Sequence, residues 1–184
     1  IMAAAEAATA RRARPTDAGD GLHVVYLGSL ARLKGVHVLV AAFNRLPANA
    51  RLSIAGGTDG FPAYVAALRA AATHPGIRFL GRVPHTALWD LLATADVAVL
   101  PTLWYEGSPL TIDELFAAGV PIVASAIGAL PDKIRDGVDG LLFAPGDVEA
   151  LAGTLLRLSD DPAHLAALRA GIAPVRTLEQ HAAE

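Results

Sequence analysis

The sequence contains no cysteine, which excludes a disulfide framework and any thiolate chemistry. It also lacks a long uninterrupted apolar run, although 53% of its 184 residues are hydrophobic and its mean hydropathy is +0.42. The longest uncharged run, Leu115 to Pro131, is interrupted by Gly119, Pro121 and Gly128. Because a helix needs about 20 apolar residues to cross a bilayer, the sequence predicts no membrane-spanning helix.

An excess of positive charge is also missing, since the formal net charge is −3 at pH 7. A broad nucleic-acid surface would need such an excess. The small basic run Arg11, Arg12 and Arg14 lies among alanines and a proline and has no aromatic neighbour for base stacking. We therefore expect no nucleic-acid partner and interpret residues 1–20 as a linker.

The remaining residues, 21–184, are enough for one domain with a single hydrophobic core. The first residue is Ile1 rather than methionine, so we expect the chain to be a piece of a longer protein.

Short β-branched apolar runs alternate with longer stretches of helical period. Strands that are apolar throughout are expected when helices cover both faces of a parallel sheet. The pattern predicts an α/β fold, a doubly wound Rossmann-like parallel sheet of about six strands flanked by helices. The predicted strands are His23–Leu27, Arg51–Ala55, Ile77–Gly81, Asp96–Pro101, Pro121–Ala124 and Gly140–Phe143. The predicted helices are Gly35–Leu46, Phe61–Thr73, His85–Thr94, Pro109–Ala118 and Asp147–Ser159, with one or two more from Pro162 onward.

In such sheets ligands bind beyond the carboxyl ends of the strands. The loop after the first predicted strand reads "GSLARLKG" and carries Arg32 and Lys34, two cations that can neutralise phosphate. Four of the five loops that follow the first five predicted strands, this one included, carry glycine, which permits close backbone approach. Neither a Walker A sequence nor the G-x-G-x-x-G fingerprint is present, so a nicotinamide-dependent dehydrogenase is poorly supported.

The stretch "WYEGSPLTIDELFAAGVPIVAS" places Glu106 before a predicted helix and Glu114 inside it. Ser108 and Pro109 suit the N-cap and the first helical position, and a helix N-terminus attracts an anion. Carboxylates accept hydrogen bonds from vicinal hydroxyls, which suits a sugar and a ribose. We expect Trp104 and Tyr105, just upstream, to pack at the base of the loop.

Glu106 and Glu114, separated by seven residues and followed by "AAGVPIVAS" and "GLLFAPGD", resemble the E-x7-E region of retaining GT-B glycosyltransferases of family 4, the glycosyl transferases group 1. The resemblance covers most of residues 22–170, including "YLGSLARLKGVHVLVAAF" and "IRDGVDGLLF". It implies the C-terminal, donor-binding half of a GT-B fold, which binds a nucleotide-diphosphate sugar. The N-terminal domain, which would bind an acceptor sugar or a lipid-linked acceptor, is expected to be absent from this chain.

The resemblance also implies roles for individual residues. Glu106 would contact the donor sugar and take part in catalysis, Glu114 would hold the ribose hydroxyls, and Lys34 would bind the diphosphate. The family pattern Gly-Arg-Leu is here Gly28-Ser29-Leu30, so either Arg32 supplies the missing cation or Lys34 and Ser29 act with the helix dipole alone. The catalytic set is therefore Glu106, Lys34 and Arg32, and the donor-binding set is Gly28, Ser29, Arg82, Val83, Gly107, Ser108, Pro109, Leu110, Thr111 and Glu114.

The implied reaction is retaining hexosyl transfer through an oxocarbenium-like state, with no metal and no cofactor. We expect the isolated domain to be inactive, and the full-length protein to be cytoplasmic, with peripheral association at the inner membrane face left open. Two alternatives remain at this point: half of a two-domain sugar-nucleotide epimerase, and a non-catalytic nucleotide-binding module.

Overall fold

The computed structural model describes residues 21–58, 60–105 and 110–173. Six parallel strands form one sheet with the order β3-β2-β1-β4-β5-β6. Because the chain winds outward from β1 in one direction and from β4 in the other, the topological switch point lies between these two central strands. The strands are β1 His23–Leu27, β2 Arg51–Ala55, β3 Ile77–Gly81, β4 Val97–Leu100, β5 Ile122–Ser125 and β6 Gly140–Phe143.

Seven α-helices connect or follow the strands in the described part of the chain, and a 3-10 turn at Arg32–Lys34 precedes the first of them. Each crossover from one strand to the next parallel strand requires such a connection. The helices are α1 Val36–Phe43, α2 Pro62–Ala71, α3 His85–Thr94, α4 Leu110–Ala117, α5 Leu130–Lys133, α6 Val148–Asp160 and α7 Pro162–Gly171. Among the described residues, none of these helices is both long and apolar enough to cross a membrane.

Side-chain alternation along the strands divides the core into two layers. Val24 and Tyr26 of β1 pack with α1, α2, α6 and α7 on one face of the sheet. Val25 and Ala98 pack with α3, α4 and α5 on the other face. Fully burying one aliphatic side chain of this size contributes about 1.5 to 3 kcal/mol. The strands are apolar on both faces because a helical layer covers each face of the sheet.

The sheet and most helices agree with the sequence prediction. Four strands have the predicted bounds, and β4 and β5 differ by one residue at each end. The short helix α5 was predicted as a loop, because a single turn starting at Leu130 leaves no helical period to detect. The predicted linker 1–20, the predicted helix start at Ser108 and Pro109, and the end of the chain, 174–184, lie outside the described residues.

A buried polar network joins α7 to the amino ends of β1 and β4. The Asp96 carboxylate accepts hydrogen bonds from the His23 backbone N–H at 2.9 Å and from Arg169 Nη2 at 2.5 Å. The His23 ring lies 2.8 Å from the Thr94 carbonyl through Nδ1 and 2.9 Å from Ser53 Oγ through Nε2. A carbonyl only accepts, so Nδ1 carries the proton and Nε2 accepts from the serine hydroxyl. The network lies at the amino ends of the strands, on the side of the sheet opposite to their carboxyl ends.

Candidate functional site

A cavity of about 130 Å³ lies at the carboxyl ends of β1 and β4, at the switch point. Pockets that enclose a whole small-molecule ligand usually measure roughly 300 to 1,000 Å³. The described residues therefore leave room for one chemical group of a ligand. The rest of such a ligand would extend along the carboxyl ends of the strands. The cavity is lined by Tyr26, Leu27, Gly28, Ser29, Lys34, Leu100, Pro101, Thr102 and Thr111.

The loop after β1 is fixed by backbone contacts with the loop after β2. The Gly28 N–H donates to the Ala55 carbonyl at 3.0 Å, and the Tyr26 hydroxyl donates to the Ser29 carbonyl at 2.9 Å. A Cβ atom on Gly56 would lie only 1.7 Å from the Gly28 carbonyl oxygen, a distance that no side chain tolerates. The two loops can lie in direct contact only because Gly56 has no side chain.

The same loop is also bonded to the segment that follows β4. The Leu33 carbonyl accepts a hydrogen bond of 2.8 Å from the Leu103 N–H. Gly35 adopts the left-handed conformation with φ of 68°, and a Cβ atom there would lie 1.8 Å from the Pro101 carbonyl oxygen. Lys34, between these two contacts, is thereby held in the wall of the cavity.

The start of α4 also contributes to the lining of the cavity. Thr111, the second residue of this helix, lines the cavity. The first N–H groups of an α-helix have no intrahelical partner, and the helix dipole adds a partial positive charge there. Together with the Lys34 ammonium, this helix start makes the cavity suitable for an anion such as a phosphoryl group.

The predicted site residues separate into those inside the cavity and those outside it. Gly28, Ser29, Lys34 and Thr111 come together as its lining. Arg32 does not line the cavity and is exposed.

Arg32 instead lies close to a pair formed by His37 of α1 and Tyr64 of α2, whose Nδ1 and Oη atoms are 2.9 Å apart. Burial lowers the pKa of His37, and the charge of Arg32 lowers it further. Burial raises the pKa of Tyr64, against the smaller opposing effects of a hydrogen bond from His37 and the Arg32 charge. The charge of Arg32 thus acts on side chains of α1 and α2.

Arg82 and Val83 follow β3 and lie outside the cavity lining. The Arg82 guanidinium lies over Gly57, since a Cβ atom at Gly57 would be 3.2 Å from the Arg82 Nε atom. This loop therefore continues the same edge of the sheet beyond the loop after β2.

Glu114 lies in the second turn of α4, and its carboxylate Oε1 is 3.8 Å from Nε2 of His85, the first residue of α3. The Glu114 side chain is 35% exposed and the His85 side chain 53%. His85 is not among the site residues predicted from the sequence. The available signal was its place shortly after Arg82 and Val83 of the predicted donor-binding set, at the start of a predicted helix.

Four residues of the predicted site, Glu106, Gly107, Ser108 and Pro109, lie outside the described residues. Leu110 is the first residue of α4. In residues 21–58, 60–105 and 110–173, no group of three or more histidine, aspartate or glutamate side chains is arranged to hold a metal ion.

The expectation that Trp104 and Tyr105 pack at the base of their loop is wrong. Their side chains are 58% and 74% exposed. Leu103 takes the inward position instead, because it packs against the core and its Cδ2 would lie 3.6 Å from a Cβ atom on Gly146. The two aromatic residues therefore lie on the surface, in the segment that follows β4.

Comparison with known proteins adds a family and several relatives. The family model described as "Glycosyl transferases group 1" matches residues 21–161. Glycogen synthase from Mycobacterium tuberculosis is 38% identical over 143 residues, which cover 76% of this chain and 34% of that protein. Sucrose-phosphate synthase from Thermosynechococcus elongatus is 29% identical with a TM-score of 0.77, covering 95% of this chain and 45% of its own.

The structure of the Anabaena protein HepE in complex with UDP-glucose has the same fold, with a TM-score of 0.77, 23% identity, and coverage of 83% of this chain and 43% of that one. The chain thus spans between 34% and 45% of the length of these three proteins.

Proposed function

Because the chain belongs to the glycosyl transferases group 1 family, we propose that it is the donor-binding domain of a retaining glycosyltransferase, which transfers a sugar from a nucleotide-diphosphate sugar to an acceptor hydroxyl. The observation that carries this proposal is the cavity at the switch point. Gly28, Ser29 and Lys34 from the loop after β1 line this cavity together with Thr111 at the start of α4.

In the proposed reaction the diphosphate is the leaving group, and it gains negative charge as the bond to the sugar breaks. A positioned donor that strengthens its contact in the transition state is typically worth about 3 to 4 kcal/mol. We assign Lys34 and the first N–H groups of α4 to one phosphoryl group of the leaving diphosphate. This charge compensation is the proposed reason why the reaction needs no metal ion.

The rest of the donor would extend along the sheet edge from this phosphoryl site. We assign the ribose to Glu114, the nucleobase to the loop of Arg82 and Val83, and the transferred sugar to Glu106. Support for this direction comes from α4, where Thr111 and Glu114 are three residues apart and therefore share one helix face. Arg32, which lies toward α1 and α2, would affect the phosphates only through its long-range field.

For the whole protein we propose a second domain that binds the acceptor, which is a sugar or a lipid-linked sugar. The proposed transfer is of a hexose, in the cytoplasm or at the inner membrane face. The chain covers only 45% of sucrose-phosphate synthase, which is consistent with one half of a two-domain enzyme. We expect this half alone to bind the donor without transferring it.

The first experiment is calorimetric titration of the chain with UDP, GDP, ADP and UDP-glucose, together with thermal unfolding. Ligand at about 100 times its Kd should add roughly 2.7 kcal/mol to stability. We expect one diphosphate to bind preferentially, and both Lys34→Met and Glu114→Gln to weaken it. His164→Ala, a histidine substitution on the distant helix α7, is the matched control for folding.

Each outcome has a definite meaning. If none of the four ligands binds while the chain is folded, the proposed function is refuted. Binding that neither Lys34→Met nor Glu114→Gln affects would move the ligand to another site and favour a non-catalytic nucleotide-binding module. Conversion of UDP-glucose into another UDP-sugar would instead support the epimerase alternative.

A further inference from the structure

One side-chain pair connects two segments of the proposed donor site that are distant in sequence. His85 begins α3, directly after the loop of Arg82 and Val83, and Glu114 lies on α4. Their side chains meet with His85 Nε2 and Glu114 Oε1 3.8 Å apart. The first residue after the proposed nucleobase loop thus lies close to the proposed ribose carboxylate.

We propose that His85 is a positioning residue that holds the Glu114 carboxylate toward the ribose of a bound nucleoside diphosphate. The inference rests on the proposed function, because it assumes that Glu114 accepts hydrogen bonds from the ribose. His85 itself acts through Glu114 and contacts no reacting atom.

The imidazole ring of His85 also lies near the indole ring of Trp89, one turn further along α3. The ring centroids are 5.9 Å apart with an interplanar angle of 80°, an edge-to-face arrangement. Trp89 is buried in the same core layer as Ile112 and Leu115 of α4. The orientation of His85 is thus set by the packing of α3 against the sheet.

Glu114 needs this support because its side chain is long and partly exposed. A glutamate that must point in one direction loses most of its rotamer freedom. A neighbouring histidine that restricts the carboxylate before the ligand arrives reduces this loss on binding. Thr111, on the same helix face, lines the cavity, so the restricted carboxylate lies beside the phosphoryl site.

The test is a double-mutant cycle on the chain with His85→Ala, Glu114→Gln and the double variant. The ligand is whichever of UDP, GDP and ADP binds most tightly, and inorganic pyrophosphate serves as a probe without ribose. Exposed pairs of this kind contribute modestly, so His85→Ala should weaken nucleoside-diphosphate binding about two- to fivefold. It should leave pyrophosphate binding unchanged and have no further effect when Glu114 is already glutamine.

Two further variants separate positioning from folding. His85→Gln keeps a side chain that can donate to the carboxylate and should restore most of the affinity, whereas a purely structural role would not require a donor. His164→Ala, another histidine in the first turn of a helix, should leave binding unchanged.

The outcomes distinguish the inference from the function on which it rests. If neither UDP-glucose nor any of the three nucleoside diphosphates binds to the unmodified chain, both are refuted. If one binds and His85→Ala either has no effect or has an equal effect in the Glu114→Gln background, only the positioning role is refuted. The same applies if pyrophosphate binding falls in parallel.

Discussion

Replacing Gly35 with alanine should destabilise the chain and weaken ligand binding together. The left-handed conformation of Gly35, with φ of 68°, costs an alanine about 1 to 2 kcal/mol. The added Cβ would also lie 1.8 Å from the Pro101 carbonyl oxygen, so the loop and the segment after β4 must separate. The Leu33 carbonyl would then lose its hydrogen bonds from Leu103 N–H and Thr102 Oγ1, each worth about 0.5 to 1.5 kcal/mol.

The combined loss is about 2 to 5 kcal/mol, which for a domain of this size lowers the melting temperature by roughly 4 to 20 °C. Urea unfolding measures the free energy of unfolding. Calorimetry measures the affinity for the preferred nucleoside diphosphate, which falls if Lys34 is displaced. Gly119→Ala is the matched control, because Gly119 has φ of 66° and no atom within 4 Å of an added Cβ. It should lose only the about 1 to 2 kcal/mol of backbone strain and keep its affinity. Equal losses in the two variants, or unchanged affinity in Gly35→Ala, would refute the argument from close approach.

Three further predictions concern stability. Asp96→Ala removes one partner of a buried ion pair and leaves the Arg169 guanidinium uncompensated, so unfolding free energy in urea should fall by about 3 to 5 kcal/mol; a loss below about 1 kcal/mol would contradict this. Burial lowers the pKa of His23 below its usual 6.5, so the unfolded chain takes up this proton first as pH falls. The stabilising contribution of His23 is complete above about pH 6.5 and is lost as pH falls through the folded pKa. His23→Gln should therefore reduce the change of melting temperature between pH 8 and 5, and an unchanged pH dependence would contradict this. The ion pair of Arg45 and Glu149 is exposed, so Arg45→Ala should leave the melting temperature unchanged. A clear fall in melting temperature would show that this pair stabilises the fold.

The strands could be predicted from the sequence because their signal is local. A run such as "VAVL" in β4 is apolar on both faces, and this alone indicates a strand between two helical layers. The single turn of α5 could not be predicted, since it is too short to show a period. The exposure of Trp104 and Tyr105 could not be predicted either, because it depends on Leu103 packing against the core in their place.

The site was predicted at the level of loops better than at the level of side chains. The sequence predicts that the loop after β1 carries cations for a phosphate, and Lys34 of this loop lines the cavity. It does not indicate that Arg32 lies on the other side of the same 3-10 turn, because direction within a turn depends on tertiary contacts. The contact of His85 with Glu114 joins residues 29 positions apart and has no sequence motif of its own.

The central pairing of β1 with β4 has a consequence for the order of assembly during synthesis. Val24 pairs with Val97, so β1 waits for more than 70 residues of chain before its second neighbour exists, whereas β2 and β3 can join it earlier. Such a distant pairing is slow to form because a long loop must close first. The proposed phosphoryl site takes lining residues from each side of this pairing, and a nascent chain that ends before Thr111 has an incomplete set. Ligand binding would therefore report that the centre of the sheet has closed, and a nucleotide could protect the finished domain from a protease without rescuing a half-made one.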